Sequence, residues 1–395
     1  MSVVVVGAGA AGLVAAGFAA AQGARVTLVE RTSDGGRKIL ISGGGRCNVL
    51  PSTFAPERFV TSSSPHLLRA MLRAWPLHEQ QAFFEDDLDV PLALEEESGK
   101  LFPRSNKAKD VRDALVTFAE RSGAQIRFNT TVTEITRADH GFSVATQSDP
   151  IACNRVVLAT GGLSVPATGS DGTGLRIARD LDHDLVDMYP ALTPLLADHS
   201  PHATLSGLSL RARLRAREND KSIETDGGFL FTHRGYSGPS VLDISHVTAR
   251  GSTPVIRAQW ATLDADELTG KDEFVSTILS RKIPSRLADH LMRECAIPAA
   301  RRTSSLKREE RTALIDAVTS YVLPWTGNEG YKKAEVTGGG VALKDVDTKT
   351  LESRKVKGLY LCGEMLDAFG PIGGHNFSWA WATGRAAGVS AGNFR

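Results

Sequence analysis

Four valines, Val3 to Val6, open the chain, followed by a glycine cluster and a long alanine-rich stretch. A short, unbroken β-branched run suits a strand buried on both faces of a parallel sheet. The alanine-rich stretch predicts a helix closed by Gly23, and Arg25 to Val29 predicts a second strand ending at Glu30. Two later runs repeat the strand pattern: "RVVLATGG" (Arg155 to Gly162) and Gly358 to Cys362, which ends in Gly363-Glu364. Both are predicted to join the first sheet. Ile39 to Ile41 also reads as a strand, running into the three glycines of "SGGGRCN".

From about Tyr189 to Trp260 the pattern changes to short alternating strands, of which "LSLRARLRA" is the clearest. From Asp264 to Tyr321 it becomes helical and charge-rich, and from Ala334 it returns to the first type. Four segments follow: 1–188, a β-rich insertion over 189–263, a helical part of that insertion over 264–333, and a return over 334–395. The fold class is α/β with an inserted β-rich plus helical domain. A chain of 395 residues is too long for one simple core and has room for this division.

Gly7-Ala8-Gly9-Ala10-Ala11-Gly12 is a G-x-G-x-x-G fingerprint placed between strand and helix. Gly7 permits the tight turn, Gly9 lets the backbone approach a pyrophosphate, and Gly12 lets helix and strand pack closely, with Ala11 between them. The helix N-terminus offers N–H groups and the positive end of its dipole to phosphates. Glu30, eighteen residues after Gly12, is placed to accept hydrogen bonds from a ribose diol and would repel a 2′-phosphate. The adenosine is therefore that of FAD or NAD. Beyond Glu30 and Arg31 the chain becomes glycine-rich and basic: Gly35, Gly36, Arg37, Lys38, then Gly43, Gly44, Gly45 and Arg46. A plain NAD domain would continue into another helix and strand. Here the bare backbone reads as a flat bed for a large planar ligand, and Arg37 and Lys38 as counter-charges for a pyrophosphate. This suits FAD. Gly161, in the turn after "VVLAT", lies near the cofactor on this reading, as does Gly363. Glu364 is a candidate for ribityl hydroxyls, and Asn376 for the N-cap of a helix whose first N–H groups face the flavin pyrimidine.

Composition adds exclusions. A net charge of +1 argues against an obligate nucleic-acid binder, and DNA is not an expected partner. The four cysteines are far apart, so a disulfide framework is improbable and so is a zinc site; no metal is expected. No targeting segment or membrane span is visible, and the expected location is cytoplasmic.

The pieces "GAGAAG", "GRKILISGGGRCN", "LFPRSNKAKDV", "VVLATGG", "FLFTHRGYSGPSVLDIS", "AEVTGGGVALKDVDTKTLESRKVKGLYLCGE" and "GPIGGHNFSWAWATG" occur in this order from end to end. In them the chain resembles the bacterial flavoproteins called BaiN-like or aminoacetone-oxidase-family FAD-binding enzymes. The resemblance implies a glutathione-reductase-like FAD-binding Rossmann fold carrying the insertion. It places Glu30 on the adenosine ribose, Arg37 and Lys38 near the pyrophosphate, Val132 against the adenine, Glu364 on the ribityl chain, and Gly374 to Phe377 on the ring. His375 and Ser378 stand where the family is expected to have tyrosine and glutamine, and "GSDGTG" replaces the family's "GSTGDG".

With one dinucleotide fingerprint and no partner for Cys47, the chain is not a dithiol reductase. The expected chemistry is hydride transfer between flavin N5 and a substrate carbon, with NADH or NADPH as transient reductant, or oxidation of an amine or alcohol by oxygen. The resemblance allows a small-molecule substrate, a conjugated enone, or a uracil ring in ribosomal RNA. A flavin-bound interaction protein without turnover is the reading from another class. Arg46 is the first catalytic candidate. Cys47 is the second, since a neighbouring cation would lower its pKa, and against it stands a small packed residue. His375 is the third, as proton donor or as helix cap. The four arginines of "LSLRARLRARE" read first as a solvated strand face and second as a rim for an anionic substrate.

Overall fold

The computed structural model describes residues 1–198, 201–218, 221–250, 253–269 and 272–393. The chain forms two compact units, one of Met1–Pro190 with Glu335–Arg395 and one of Ala191–Ala334.

The first unit is built on a five-stranded parallel sheet. Its order is Leu359–Leu361, Arg155–Leu158, Ser2–Val6, Arg25–Val29, Gln125–Arg127. Val3 to Val6 pair with Arg155 to Leu158 on one side and Val26 to Val29 on the other. That central position explains the β-branched run, because Val3, Val4 and Val5 are covered on both faces. The helix Ala10–Ala21 follows the first strand and packs against the last helix, His375–Gly392. Small residues four apart face each other along this crossing. A Cβ on Gly384, Gly388 or Gly392 would lie 2.4, 2.3 or 2.5 Å from the carbonyl oxygens of Ala11, Ala15 and Ala19. The two backbones therefore approach closely enough to hold both helix N-termini over one end of the sheet.

Smaller sheets complete this unit. One is an antiparallel meander of Val132–Ala138, Gly141–Thr146 and Ile151–Cys153. Another joins Leu50–Pro51, Lys100–Pro103 and Leu92–Glu95. Ile39 to Ile41, expected as a strand, belong instead to a short helix, Arg37–Ile41, continuous with a 3-10 turn over Ser42–Gly45. A three-residue apolar run has no period of its own, and here only Ile39 is buried while Ile41 is exposed.

The second unit has an antiparallel sheet in the order Tyr321–Val322, Arg257–Gln259, Ser209–Glu218, Lys221–Phe231, Gly235–Ser237, Leu195–Leu196, Gly327–Asn328. The helices Val275–Ser280, Ser285–Glu294 and Arg308–Thr319 share one core with it, including Phe229, Phe231, Trp260, Leu287 and Leu291. Gly270 and Lys271, in the stretch read as helical, lie outside the described residues. Arg211, Arg213 and Arg215 pair across the strands with Asp226 and Glu224. The arginine-rich strand thus carries its own neutralising acids on its neighbour, which supports the solvated-face reading over the substrate-rim one. Among the described residues no helix is long and apolar enough to cross a membrane.

Candidate active site

The strand ends of the parallel sheet open on a cavity of about 560 Å³, within the range of roughly 300–1,000 Å³ found for small-molecule and cofactor sites. Its first end is the G-x-G-x-x-G turn. Gly7 has φ +99°, a conformation that glycine adopts without strain, and its N–H donates to the Val29 carbonyl (2.8 Å). A Cβ on Gly12 would lie 1.8 Å from the Gly7 oxygen, so Gly12 sits behind the turn and does not line the cavity. A Cβ on Gly9 would meet nothing within 4 Å; the space before it is the cavity itself. The first N–H groups of helix Ala10–Ala21 have no acceptor within their own helix. Glu30 accepts from the Ala8 N–H (2.8 Å) and from the Thr32 N–H and hydroxyl (2.9 and 2.7 Å). A carboxylate has about four acceptor sites, so one remains for a ligand hydroxyl. Arg31 pairs with Asp171. Burial alone would raise the Asp171 pKa, but Arg31 and Thr173 outweigh it and the carboxyl lies below its ordinary value.

The middle of the cavity holds a charge pair. Lys38 Nζ donates to Glu364 Oε2 (2.6 Å) and to Ser164 Oγ (2.7 Å). Glu364 Oε1 accepts from the Thr337 N–H (3.0 Å) and the Ser164 hydroxyl (2.5 Å). Arg37 donates through Nε to Asp34 (2.6 Å). Both expected counter-charges are thus tied to acids, and Glu364 is held by three protein donors.

At the other end the glycine turn lies against the cavity through Gly43 and Gly44, with φ +55° and +68°. It is a tight turn where a flat bed was expected. Arg46 leaves it with its guanidinium 4.0 Å from the centre of the Phe102 ring and pairs with Glu95 (3.0 Å). Lys100, Phe102 and Asn48 line the same end. Asn48, with its amide oxygen turned toward the last helix, accepts from the Gly374 N–H (3.0 Å) and donates to the Leu50 carbonyl (3.2 Å). Gly374, with φ +91°, is the N-cap residue. Asn376 is not the cap: it lies one residue inside the helix, accepting from the Gly370 N–H (2.9 Å) and donating to the Gly370 carbonyl (2.9 Å). Phe377 lines the cavity and stacks on Trp381 (5.2 Å, 8°).

The residues expected to bind cofactor line this cavity except Gly12, Gly35, Gly45 and His375, and Arg46 lines it too. Two catalytic candidates do not. Cys47 is fully buried, at φ +61°, and burial pushes its thiol up to about 12, the reverse of the expected activation. His375 is buried between Phe54 and Phe59 (6.1 and 6.0 Å between ring centres). Burial, reinforced by Arg58, lowers its pKa to about 4, so it is a neutral imidazole outside the cavity lining. Sequence reasoning missed Lys100, Phe102 and Asn48. The first two stand in "LFPRSNKAKDV" or beside it, and Asn48 follows directly on "GGGRC".

A glycine-cradled helix end, a carboxylate at the second strand's tip and a long cavity continuing to a second helix end fit an extended dinucleotide, and the fold and cavity are those of a FAD-binding oxidoreductase. The family model described as HI0933-like protein Rossmann domain matches residues 1–390, and the chain belongs to that family. A ribosomal RNA dihydrouridine synthase of Escherichia coli K12 is 32% identical over 96% of this chain and 95% of its own length. A ribosomal RNA dihydrouridine synthase of Haemophilus influenzae is 32% identical over 98% of this chain and 97% of its own. A 3-dehydro-bile acid delta(4,6)-reductase of Clostridium scindens is 31% identical over 98% of both chains. Among solved structures, 3-ketosteroid-delta4-(5alpha)-dehydrogenase of Rhodococcus jostii RHA1 shares the fold (TM-score 0.54, 16% identity, 99% of this chain and 96% of that one). So does a flavocytochrome c3 fumarate reductase (TM-score 0.51, 18% identity, 99% and 78%).

Proposed function

We propose that this protein is a flavin-dependent reductase of a conjugated carbon–carbon double bond, with reduced nicotinamide as the electron donor and a uracil ring of ribosomal RNA as the substrate. The observation that carries it is a cavity with a dinucleotide cradle at one end and two cations, Arg46 and Lys100, at the other. Bound FAD would supply hydride transfer at its N5. Gly9, Glu30 and the first turn of helix Ala10–Ala21 would hold its adenosine and pyrophosphate. Val132 would meet the adenine, and Gly374, Asn376 and Phe377 the ring.

The net reaction takes a hydride from the nicotinamide and a proton from water. It turns the C5=C6 bond of uracil into a single bond. That bond is conjugated to a carbonyl, so negative charge develops on the carbonyl oxygen as hydride arrives. Lys100 and Arg46 would stabilise it. Neither Cys47 nor His375 faces the cavity, so neither is assigned the proton. The base would have to be unstacked from its RNA to enter.

The names of two relatives support the RNA substrate. That of the third supports a small enone, the same chemistry on another carrier. The test is to incubate FAD-loaded protein and NADPH or NADH with unmodified ribosomal RNA, and separately with a steroid dienone. Mass spectrometry of the digested nucleosides should then show dihydrouridine. Reduction of the dienone alone would overturn the RNA assignment and leave the chemistry; reduction of neither would overturn both. Lys100→Met should lower kcat by about tenfold to a hundredfold with FAD content unchanged.

A further inference from the structure

The second unit contains a cluster that the flavin chemistry does not use. His202 lies in the 3-10 turn Pro201–Leu205, and His290 and Glu294 lie on helix Ser285–Glu294. One ligand atom from each lies within 4.8 Å of the other two. His290 and Glu294 are four positions apart on one helix face, so a turn of helix presents both to the same point. We propose that these three side chains bind a divalent zinc-type cation.

The donor set suits such an ion. Two imidazoles and a carboxylate carry one negative charge when both rings are neutral, and this combination binds zinc with a fourth position left to water. His290 Nε2 stands 3.3 Å from Glu294 Oε1 without the alignment of a hydrogen bond. A cation between them would use both lone pairs. Tetrahedral zinc with bonds of about 2.0–2.1 Å needs its donor atoms closer together than 4.8 Å. Binding of the ion would draw the three side chains together to that spacing.

The surroundings resemble the outer shell of a metal site. The Tyr236 hydroxyl lies 2.8 Å from His202 Nδ1, which turns Nε2 to the cluster and fixes it as the ligand atom. Tyr321 donates to Glu294 Oε1 (3.2 Å), holding the carboxylate as a hydroxyl in a metal site's outer shell does. The ion would tie the Pro201–Leu205 turn to the helix within this unit.

The test uses the full chain without an affinity tag, stripped with chelator and titrated with Zn²⁺ against a chromophoric competitor. One equivalent should bind, and Glu294→Gln should weaken it at least about tenfold with an unchanged circular-dichroism spectrum. His290→Asn should do the same. Because His290 is buried and its variant could misfold, Glu294→Gln at the exposed position decides the matter. Co²⁺ should give the visible absorption of a tetrahedral nitrogen–oxygen site in the parent protein and not in Glu294→Gln. No stoichiometric uptake, or equal affinity in the parent and Glu294→Gln, would overturn the site.

Discussion

Lys38 Nζ and Glu364 Oε2 stand 2.6 Å apart although 326 positions separate them in the chain. The pair joins the short helix after the second strand to the turn after the last one, and both residues line the cavity. Their side chains keep only 26% and 17% of their exposure, so neither charge is well solvated without the other. Replacing Glu364 with Gln leaves the lysine without its counter-charge. It should cost about 1–3 kcal/mol of stability and weaken FAD binding at least about tenfold. The double variant with Lys38→Met should recover part of the stability and none of the binding. Denaturant titration and FAD titration of the three proteins check this.

The last two glycines of the fingerprint should separate folding from binding. At Gly12 a methyl group would lie 1.8 Å from a backbone oxygen, while at Gly9 it would meet no protein atom within 4 Å. Gly12→Ala should be strongly destabilised, by about 3 kcal/mol or more. Gly9→Ala should melt as the parent apoprotein does, yet fail to retain FAD. Thermal melts with and without added FAD distinguish the two.

Three buried histidines set an acid limit. Burial lowers the pKa of His202, His246 and His375 from the ordinary 6.5 to about 4. Between these values the unfolded chain binds protons that the folded chain does not, so stability is full above pH 6.5 and falls as the pH drops toward 4. Each contributes on the order of 3 kcal/mol at the limit. The metal-free protein should lose melting temperature over this window, and His375→Phe should flatten the slope without abolishing turnover, because the ring lies outside the cavity.

Cys47 should be chemically quiet. Its thiol, pushed up to about 12 by burial, is protonated in the folded state at pH 8. A disulfide reagent should modify it only as fast as the protein unfolds, and Cys47→Ser should keep the flavin and its turnover. The same shift favours the folded state below pH 9.0, and that stability is lost as pH rises from 9.0 toward about 12.

The nucleotide half of the site was legible in sequence because each of its parts answers a backbone demand. A turn needs Gly7, a close approach needs Gly9, and helix packing needs Gly12. The ring half was legible only in part. Arg46 and Cys47 are neighbours, yet one lines the cavity and the other is buried at positive φ. Likewise His375 points away from the cavity that Gly374 and Asn376 line. Adjacency in sequence locates a backbone and leaves open which way a side chain turns. The arginines of Ser209–Glu218 read first as a solvated strand face and second as a substrate rim, and only the opposing strand's Asp226 and Glu224 weigh between the two. The contact of Gly384, Gly388 and Gly392 with Ala11, Ala15 and Ala19 repeats at four-residue intervals in both segments, but nothing in either segment says that they meet. His202 and His290 were invisible for the same reason.

The central claim is that this cavity holds FAD and uses it. The most direct measurement is the visible absorbance spectrum of the purified chain after reconstitution with FAD and gel filtration, followed by anaerobic addition of NADPH or NADH. One equivalent of FAD that stays with the protein and bleaches on mixing is the predicted result. A protein that elutes colourless would contradict the claim, as would a bound flavin that neither nicotinamide reduces.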